Sequence, residues 1–414
     1  MDRIIFHCDC NSFYASVELL SRPDLRHYPV AVCGDPESRH GIILAKNEHA
    51  KVFGVKTAET IWQARKKCPE LILLPAHHQR YAEISGRINE IYEEYTDLVE
   101  PFGIDESWLD VTGSVHLFGG DPVVLADTIR ERIRTEIGIT ISVGISFNKV
   151  FAKLGSDYKK PDATTVISRE NFRSMIWPLP VTDLLYVGQS AKKVFERFRI
   201  TTIGELAVFD RNALFTVLGK NGAQLHDFAN GTDHTPIAPA GIHETPKSVG
   251  NGLTFPRNLR TQEEIKAGIT MLSDQVAVRL RRHGLKCCCV SLSIRNPDFR
   301  DMSRQCQLQD PTSLSREIAK YVWNLAQECW DMSNPIRALT VTALSLVPEE
   351  ESTAQVDFLG VSHPKRDKLE RLEHAMDEIR TKYGKRAITH ASVPIDSGMQ
   401  RHILHSEGMN DVES

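Results

Sequence analysis

The sequence predicts an α+β protein of several domains, because the pattern strand–helix–strand–strand–helix–strand occurs twice along its 414 residues. The first occurrence is typical of a ferredoxin-like sheet, and roughly 100–200 residues per domain allow two to four domains in this length. Apolar residues make up 41% and charged residues 25% of the chain, as in ordinary globular proteins. This composition excludes a largely disordered chain.

The first pattern is interrupted by two small strands and two short helices. The apolar periodicities predict a strand at 4–6 and a helix at 13–20, followed by the interrupting strands at 29–34 and 41–45 and helices at 46–53 and 57–67. The pattern then continues with a helix from Tyr81 to Leu98 and a hairpin at 101–111. It ends with a helix from the Asp121-Pro122 cap to Gly138, a strand at 139–145 and a helix at 148–155. Acidic and amide residues gather where the first strand ends and within the hairpin.

Glycine-punctuated short helices are predicted at about 168–235, and a Pro/Gly-rich stretch at 235–241 predicts a linker. The second pattern starts at Lys247 and predicts a separate domain, with strands at 247–255, 286–295, 302–309 and 336–346 and helices at 261–284 and 313–330. A capping box of Thr261 and Glu264 is expected to begin the first of these helices. An acidic run at 349–351, a charged helix at about 364–383 and a disordered tail beyond residue 390 are expected after it.

Three carboxylates are the most informative candidates for chemistry. Asp9 ends the first strand, and Asp105 and Glu106 lie in the hairpin. In a ferredoxin-like sheet these strands are neighbours, so the acids are expected to converge, and clustered like charges need a cation to neutralise them. Oxygen ligands of this kind select Mg²⁺, and two such ions suit phosphoryl transfer. The alternative, that each acid is an ordinary solvated turn residue, stays open at this point.

Four motifs resemble the Y-family DNA polymerases, in their order and spacing, over about residues 1–346. They are Asp9-x-Asn-x-Phe-Tyr-Ala-Ser-Val-Glu18, Ile104-Asp-Glu-Ser-Trp-Leu-Asp-Val111, Ser142-Val-Gly-Ile-Ser-x-Asn-Lys-x-x-Ala-Lys153 and Lys159-Lys-Pro161. The resemblance is strongest to the bacterial branch of that family. It implies a right-hand polymerase with a ferredoxin-like palm (1–20 and 78–166), small fingers (21–77), a helical thumb (167–234), a linker (235–246), a βαββαβ little finger (247–347) and a C-terminal region (348–414).

The resemblance also implies the roles of the palm residues. Asp9, Asp105, Glu106 and the main-chain carbonyl of Cys10 would hold two Mg²⁺ ions, which serve attack by the primer 3′-hydroxyl on the incoming triphosphate. Phe13 and Tyr14 match the positions that exclude a ribose 2′-hydroxyl by steric overlap. Lys160 matches the lysine that reaches the triphosphate. Lys149 and Lys153 are expected on the surface of the palm helix near the active site, rather than as direct ligands.

The fingers depart from the family pattern. The family usually places a tyrosine and an arginine on the β- and γ-phosphates, where this sequence has Glu48 and Lys51. Lys51 still supplies a charge, but as a point cation rather than a bidentate fork. Glu48 would repel phosphate, so we expect it to point away or to pair with Lys51 or Lys46. Ile42 matches a strand position over the nascent base pair.

The net charge of −4 argues by itself against a nucleic-acid partner, but residues 244–347 carry 14 Lys+Arg against 10 Asp+Glu. The resemblance implies that this little finger and a helix-hairpin-helix turn in the thumb hold the DNA backbone. In that turn the usual first glycine is replaced by Tyr186. The basic residues of the little finger gather on one helix end and two strands, and they are Arg279, Arg281, Arg282, Lys286, Arg295, Arg300 and Arg304. The expected DNA contacts are Gly188, Lys192, Arg279, Arg295, Arg300 and Arg304.

Gln355, Phe358 and Leu359 resemble the short peptide with which bacterial polymerases bind the sliding clamp. No stretch approaches the ~20 consecutive apolar residues of a membrane span, and the N-terminus does not resemble a signal peptide. Nine cysteines without a C-x-x-C pair favour a reducing cytoplasm over a disulfide framework or a structural zinc site. We expect a monomer associated with the nucleoid.

The sequence therefore predicts a DNA-directed DNA polymerase for translesion synthesis. Its substrates would be primer-template DNA and dNTPs, and low fidelity is expected because no separate segment resembles a proofreading exonuclease. One alternative is a catalytically inactive, clamp-bound DNA-damage scaffold of the same fold, against which the retained acids argue. A nucleotide cyclase-like enzyme is a second alternative, against which the thumb and the basic βαββαβ domain argue.

Overall fold

The computed structural model describes residues 2–34, 41–242, 245–351, 364–384 and 387–389. The described residues form two compact units, one ending at Ile242 and the other comprising residues from 245 onwards. Among these residues, no helix is both long and apolar enough to span a membrane.

The palm sheet of the first unit has five strands. The elements of the palm are β1 (Ile5–Cys10), α1 (Phe13–Leu20), α4 (His78–Glu93), β5 (Val99–Pro101), β6 (Glu106–Asp110), α5 (Pro122–Arg132, continued by a π-helical turn at Ile133–Ile137), β7 (Ile141–Ser146), α6 (Lys149–Tyr158) and β8 (Thr164–Ile167). The strand order is β5-β6-β1-β7-β8, with β1 antiparallel to both of its neighbours. This is the predicted ferredoxin-like arrangement, extended by β8, which the sequence analysis missed and which pairs in parallel with β7.

Helices cover both faces of the palm sheet. Successive side chains of a strand point to opposite faces of the sheet, so Phe6 and Cys8 of β1 lie on one face and Ile5 and His7 lie on the other. Phe6 and Cys8 are buried with residues of α1, α4 and α5 in one core. Ile5 belongs to a smaller cluster with Ala152 of α6. The face that carries His7 and Asp9 is therefore the face on which α6 lies.

The fingers and the thumb are smaller parts of the same unit. The fingers contain β2 (Val30–Cys33), β3 (Ile43–Lys46), α2 (Glu48–Val52), α3 (Ile61–Lys67) and β4 (Ile72–Pro75), with the strand order β3-β2-β4. The thumb contains α7 (Phe172–Ile176), α8 (Gln189–Phe198), α9 (Ile203–Val208), α10 (Arg211–Leu218) and α11 (Lys220–Ala229). Strand β4 was not predicted, and α4 ends at Glu93 rather than Leu98.

The segment predicted to be a linker is partly built into the first unit. Ile237 is buried with Ile5 and Trp108. The amide of Ala238 donates to Glu100 Oε2 at 2.9 Å. The buried isoleucine explains why this Pro/Gly-rich stretch packs against the palm before the unit ends at Ile242.

The second unit is the predicted βαββαβ domain. Its elements are β9 (Ser248–Leu259), α12 (Gln262–Arg282), β10 (Leu285–Arg295), β11 (Asp301–Thr312), α13 (Ser315–Cys329), β12 (Ile336–Pro348) and α14 (Pro364–Tyr383). The sheet order is β11-β10-β12-β9, all antiparallel. Helix α12 begins with the capping box predicted from Thr261 and Glu264. Apolar residues of the sheet, α12 and α13 form one core.

Candidate metal and nucleotide site

The three predicted acids converge on neighbouring strands of the palm. Asp9 of β1 is paired in register with Glu106 of β6. The amide of Cys10 donates to the carbonyl of Asp105 at 2.9 Å, which draws the third acid to the same end of β1. The Cys10 side chain is buried in the core, so the main chain is the part of Cys10 that lies beside the acids. The central position of β1 in the sheet creates this cluster.

The cluster is electrostatically strained. Burial, together with repulsion from Glu106 and Asp105, raises the pKa of Asp9 to about 7 although Lys160 opposes this. Burial and the Glu106 charge raise the pKa of Asp105 to about 6. Burial also acts to raise the pKa of Glu106, but His7 and Lys153 outweigh it and hold that pKa at about 2. The ionised forms of Asp9 and Asp105, whose pKa values are raised, would be stabilised by a bound cation.

Two lysines neutralise the acids in this structure. Lys160 Nζ lies 2.5 Å from Asp9 Oδ2 and 2.6 Å from Asp157 Oδ1. Lys153 forms an ion pair with Glu106. The expectation that Lys149 lies on the surface of the palm helix was wrong, because Lys149 is buried over the Trp108 ring. Lys153 is half-buried and lies near the acids, as expected, where it contacts Glu106. The oxygen donors and their need for positive charge fit a hard divalent cation.

His7 is a site residue that the sequence analysis missed. It is fully buried, its Nδ1 lies 2.8 Å from Ser156 Oγ, and its Nε2 lies 3.2 Å from Glu106 Oε2. Burial lowers its pKa to about 4, so it is neutral at pH 7. Ligand atoms of His7, Asp9 and Glu106 all lie within 4.8 Å of one another. The alternation that places His7 and Asp9 on one face of β1 was the available signal.

The two aromatic candidates at the start of α1 occupy different environments. Phe13 is buried in the palm core, whereas Tyr14 is half-buried. Burial raises the pKa of Tyr14, and the Asp105 charge raises it further, which places the Tyr14 hydroxyl within electrostatic reach of the acids. Of the two rings, Tyr14 is therefore the more accessible one and the one whose hydroxyl is influenced by the charge of Asp105.

In the fingers, Glu48 and Lys51, which differ from the family pattern, form the pair expected from their charges. Lys51 Nζ lies 2.5 Å from Glu48 Oε1, so the two residues form the predicted pair. The Ser12 hydroxyl donates to the same Glu48 oxygen at 3.2 Å, which connects α2 with the start of α1. Ile42 is half-buried and forms an isolated bridge with Thr60.

The turn before α8 in the thumb has a glycine-like backbone conformation although a tyrosine occupies the position. Tyr186, which stands where the family motif has its first glycine, adopts a φ of 68°, in the left-handed region that glycine favours. Gly188 is the N-terminal cap of α8 and is exposed. Lys192, one turn further along α8, is half-buried.

Several basic residues of the second unit are engaged within it. Arg279 donates to the Gly250 carbonyl at 2.9 Å, and Arg295 forms a bidentate pair with Asp301. Arg304 donates to the Ser303 carbonyl, and Arg300 is exposed. Arg295 and Arg304 of the sheet, and Arg300 in the connection between β10 and β11, are exposed, whereas Arg279 is half-buried.

Helix α14 packs onto the second unit through ion pairs. Arg281 contacts Glu373 and Asp377, and Lys286 lies 3.4 Å from Glu370. These two basic residues, which the sequence grouped with the DNA-binding cluster, are therefore bound by acids of α14. The clamp-peptide residues Gln355, Phe358 and Leu359 lie outside the described residues.

Comparisons with known proteins agree with the geometry. The model of the impB/mucB/samB family matches residues 8–157, and that of its C-terminal domain matches residues 246–358. DNA polymerase IV of Acetivibrio thermocellus is 47% identical over 401 residues, covering 97% of this chain and all of that protein. DNA polymerase IV 1 of Bacillus subtilis is 37% identical over 386 residues, covering 93% and 92%.

A solved structure shows the same fold. The Y-family DNA polymerase chimera Dbh-Dpo4(243-245)-Dbh superposes with a TM-score of 0.73 at 22% identity, covering 83% of this chain and 99% of that chain.

Proposed function

The chain belongs to the impB/mucB/samB family and is a translesion DNA polymerase, and from this premise we propose that it extends a primer by two-Mg²⁺ phosphoryl transfer at Asp9, Asp105 and Glu106. The observation that carries the proposal is the convergence of three acids whose charges repel one another. Asp9 and Asp105 both have a raised pKa, which a divalent cation would reverse.

The residues that would hold the metal ions are Asp9, Asp105, Glu106 and the carbonyl of Cys10. When bound, the ions supply Lewis-acid activation of the primer hydroxyl and stabilise the charge of the departing pyrophosphate. Binding them requires Asp9 and Asp105 to be ionised and Lys160 and Lys153 to leave the carboxylates they now neutralise. His7 contacts Glu106 from the buried side and limits the positions that this carboxylate can take.

The released lysine has a role of its own. Lys160 lies within hydrogen-bonding distance of Asp9, so a triphosphate that approaches the acids also approaches this ammonium group. Lys160 would bind the triphosphate and Tyr14 would exclude the ribose 2′-hydroxyl. Lys51 would supply a second positive charge once it separates from Glu48, and Ile42 would border the nascent base pair.

The proposed macromolecular partners are primer-template DNA and the sliding clamp. Gly188 at the start of α8 offers a helix N-terminus to a phosphate, with Lys192 on the next turn. Arg295 and Arg304 present cationic groups on the adjacent strands β10 and β11, and Arg300 lies directly before β11. Such contacts hold the DNA backbone without reading its sequence. Gln355, Phe358 and Leu359 would bind the clamp.

Primer extension with a labelled template, dNTPs and Mg²⁺ tests the proposal. The full chain should extend the primer, and the double variant Asp105→Ala/Glu106→Ala should lose extension while still binding the DNA. Glu93→Ala, an exposed acid on α4, is the matched control and should extend normally. Extension that survives in the double variant would overturn the assigned acids. No extension by the wild-type chain would favour the inactive scaffold.

A further inference from the structure

Tyr14 is stacked against a second tyrosine that belongs to a different helix. The ring centroids of Tyr14 on α1 and Tyr81 on α4 lie 4.1 Å apart with an angle of 17° between the planes. Tyr81 is fully buried, whereas Tyr14 is half-buried. One face of the Tyr14 ring is therefore covered by a side chain of the palm core.

Hydrogen bonds hold the Tyr81 ring at its far end. Its hydroxyl donates to Glu18 Oε1 at 2.5 Å and accepts from the His77 amide at 3.1 Å. Glu18 is buried, and its Oε1 also lies 2.9 Å from His77 Nδ1. Because the Tyr81 hydroxyl uses both its donor and an acceptor position, the ring cannot slide along Tyr14 without breaking these bonds.

Two further rings limit sideways movement of Tyr14. His78 meets it edge-on at 5.7 Å and 85°, and Phe13 lies 5.9 Å away at 49°. His78 also packs edge-on against Tyr81 at 5.6 Å. The Tyr14 ring is thus held by three neighbours, while its hydroxyl end lies within electrostatic reach of Asp105.

We propose that Tyr81 is a positioning residue for sugar selection, which keeps the Tyr14 ring from retreating when a ribonucleotide enters the site. A ring excludes a 2′-hydroxyl by overlap only if its own position is fixed, since a mobile ring yields to the added oxygen. The inference rests on the proposed role of Tyr14 and adds a second residue, outside the site, that determines the discrimination.

The test measures single-nucleotide insertion with a dNTP and the matching rNTP and compares the two values of kcat/KM. Tyr81→Met replaces the ring by a flexible chain, Tyr81→Phe keeps the stack and removes the hydroxyl, and Tyr14→Ala removes the gate. Tyr81→Leu serves the same purpose if the methionine variant does not fold. The selectivity ratio is taken within one preparation, so a loss of folded protein cancels from it.

We expect Tyr81→Met to reduce the dNTP preference by about three- to tenfold, the equivalent of a lost aromatic pair. Most of the change should be a gain in rNTP insertion, and Tyr81→Phe should restore at least half of the preference. A ratio that stays at the wild-type value in Tyr81→Met, while Tyr14→Ala loses selectivity, would overturn the role of Tyr81 alone. An unchanged ratio in Tyr14→Ala would refute the gate itself and this inference with it.

Discussion

Replacing Glu373 by alanine should destabilise the second unit, although this residue lies on a helix beyond the βαββαβ core. Glu373 of α14 and Arg281 of α12 form an ion pair in which the side chains are only 5% and 4% exposed. Both carboxylate oxygens of Glu373 also accept from the Ser315 amide at 3.0 Å, and Oε1 accepts from the Ser315 hydroxyl at 2.7 Å. Helix α13 begins at Ser315, and its N-cap residue, Leu314, has no side chain that could accept a hydrogen bond from the first turn.

The expected loss is about 3 kcal/mol, at the lower end of the range for breaking a buried ion pair. It is not larger because Arg281 keeps Asp377 at 2.7 Å and the Ser313 carbonyl at 2.8 Å. Glu373→Gln should cost about half as much, since an amide oxygen still accepts from Ser315 but lacks the charge. The loss combines one ion pair with the first-turn hydrogen bonds of α13.

Hydrogen exchange measured by mass spectrometry on the full chain locates the effect. A loss of 3 kcal/mol corresponds to roughly a hundredfold lower protection, expected in α13 and α14, with little change in the palm. Glu378→Ala, an exposed acid on the same helix, is the matched control and should stay within about 0.5 kcal/mol of the wild type. Destabilisation by Glu373→Ala of less than about 1 kcal/mol would refute the reasoning that α14 is an integral part of this unit.

Three further predictions concern the first unit. Glu48→Tyr should lower the KM for the incoming dNTP several-fold by removing a like charge from the triphosphate site, and an unchanged KM in insertion kinetics would contradict this. Gly144→Ala should lower the free energy of unfolding, measured by thermal unfolding, by about 3 kcal/mol or more, because a Cβ there would lie 1.9 Å from the Ala152 carbonyl oxygen. Gly86→Ala is the control and should not destabilise the protein, because a Cβ at Gly86 meets nothing within 4 Å. Because the pKa of Asp9 is raised to about 7, the metal-free site holds a proton below that pH, and Mg²⁺ affinity should fall by up to about tenfold per pH unit as the pH drops below 7. Calorimetry at pH 6.5 in buffers of different ionisation enthalpy should therefore detect proton release, and identical heats would speak against it.

Local patterns in the sequence predicted most elements of the fold. The Asp121-Pro122 cap begins α5 and Gly138, with a φ of 88°, ends the turn that continues it. The capping box at Thr261 begins α12 in the same way. Strands β4 and β8, each four residues long, were missed, whereas the equally short β2 and β3 were predicted because Gly, Asp and Pro residues separate their apolar runs.

The candidate site was predictable as a set of residue types but not as a set of environments. The expected adjacency of β1 and the hairpin predicted that Asp9, Asp105 and Glu106 would converge. That His7 contacts Glu106 depends on α6 covering the same face of the sheet, and that Tyr14 rather than Phe13 is the more accessible ring depends on how α1 packs against α4. These packing choices involve residues far apart in the chain.

The sequence by itself determined the order of the elements, the two βαββαβ patterns and the identity of the acids, because these follow from local periodicity, caps and motif spacing. Only the tertiary structure decided which charges stay available for partners. Arg281 and Lys286 resemble exposed DNA-binding residues in the sequence, yet acids of α14 bind both of them. The physical reason is that a charge is neutralised by whatever the fold brings within a few ångströms, and sequence separation places no limit on that distance.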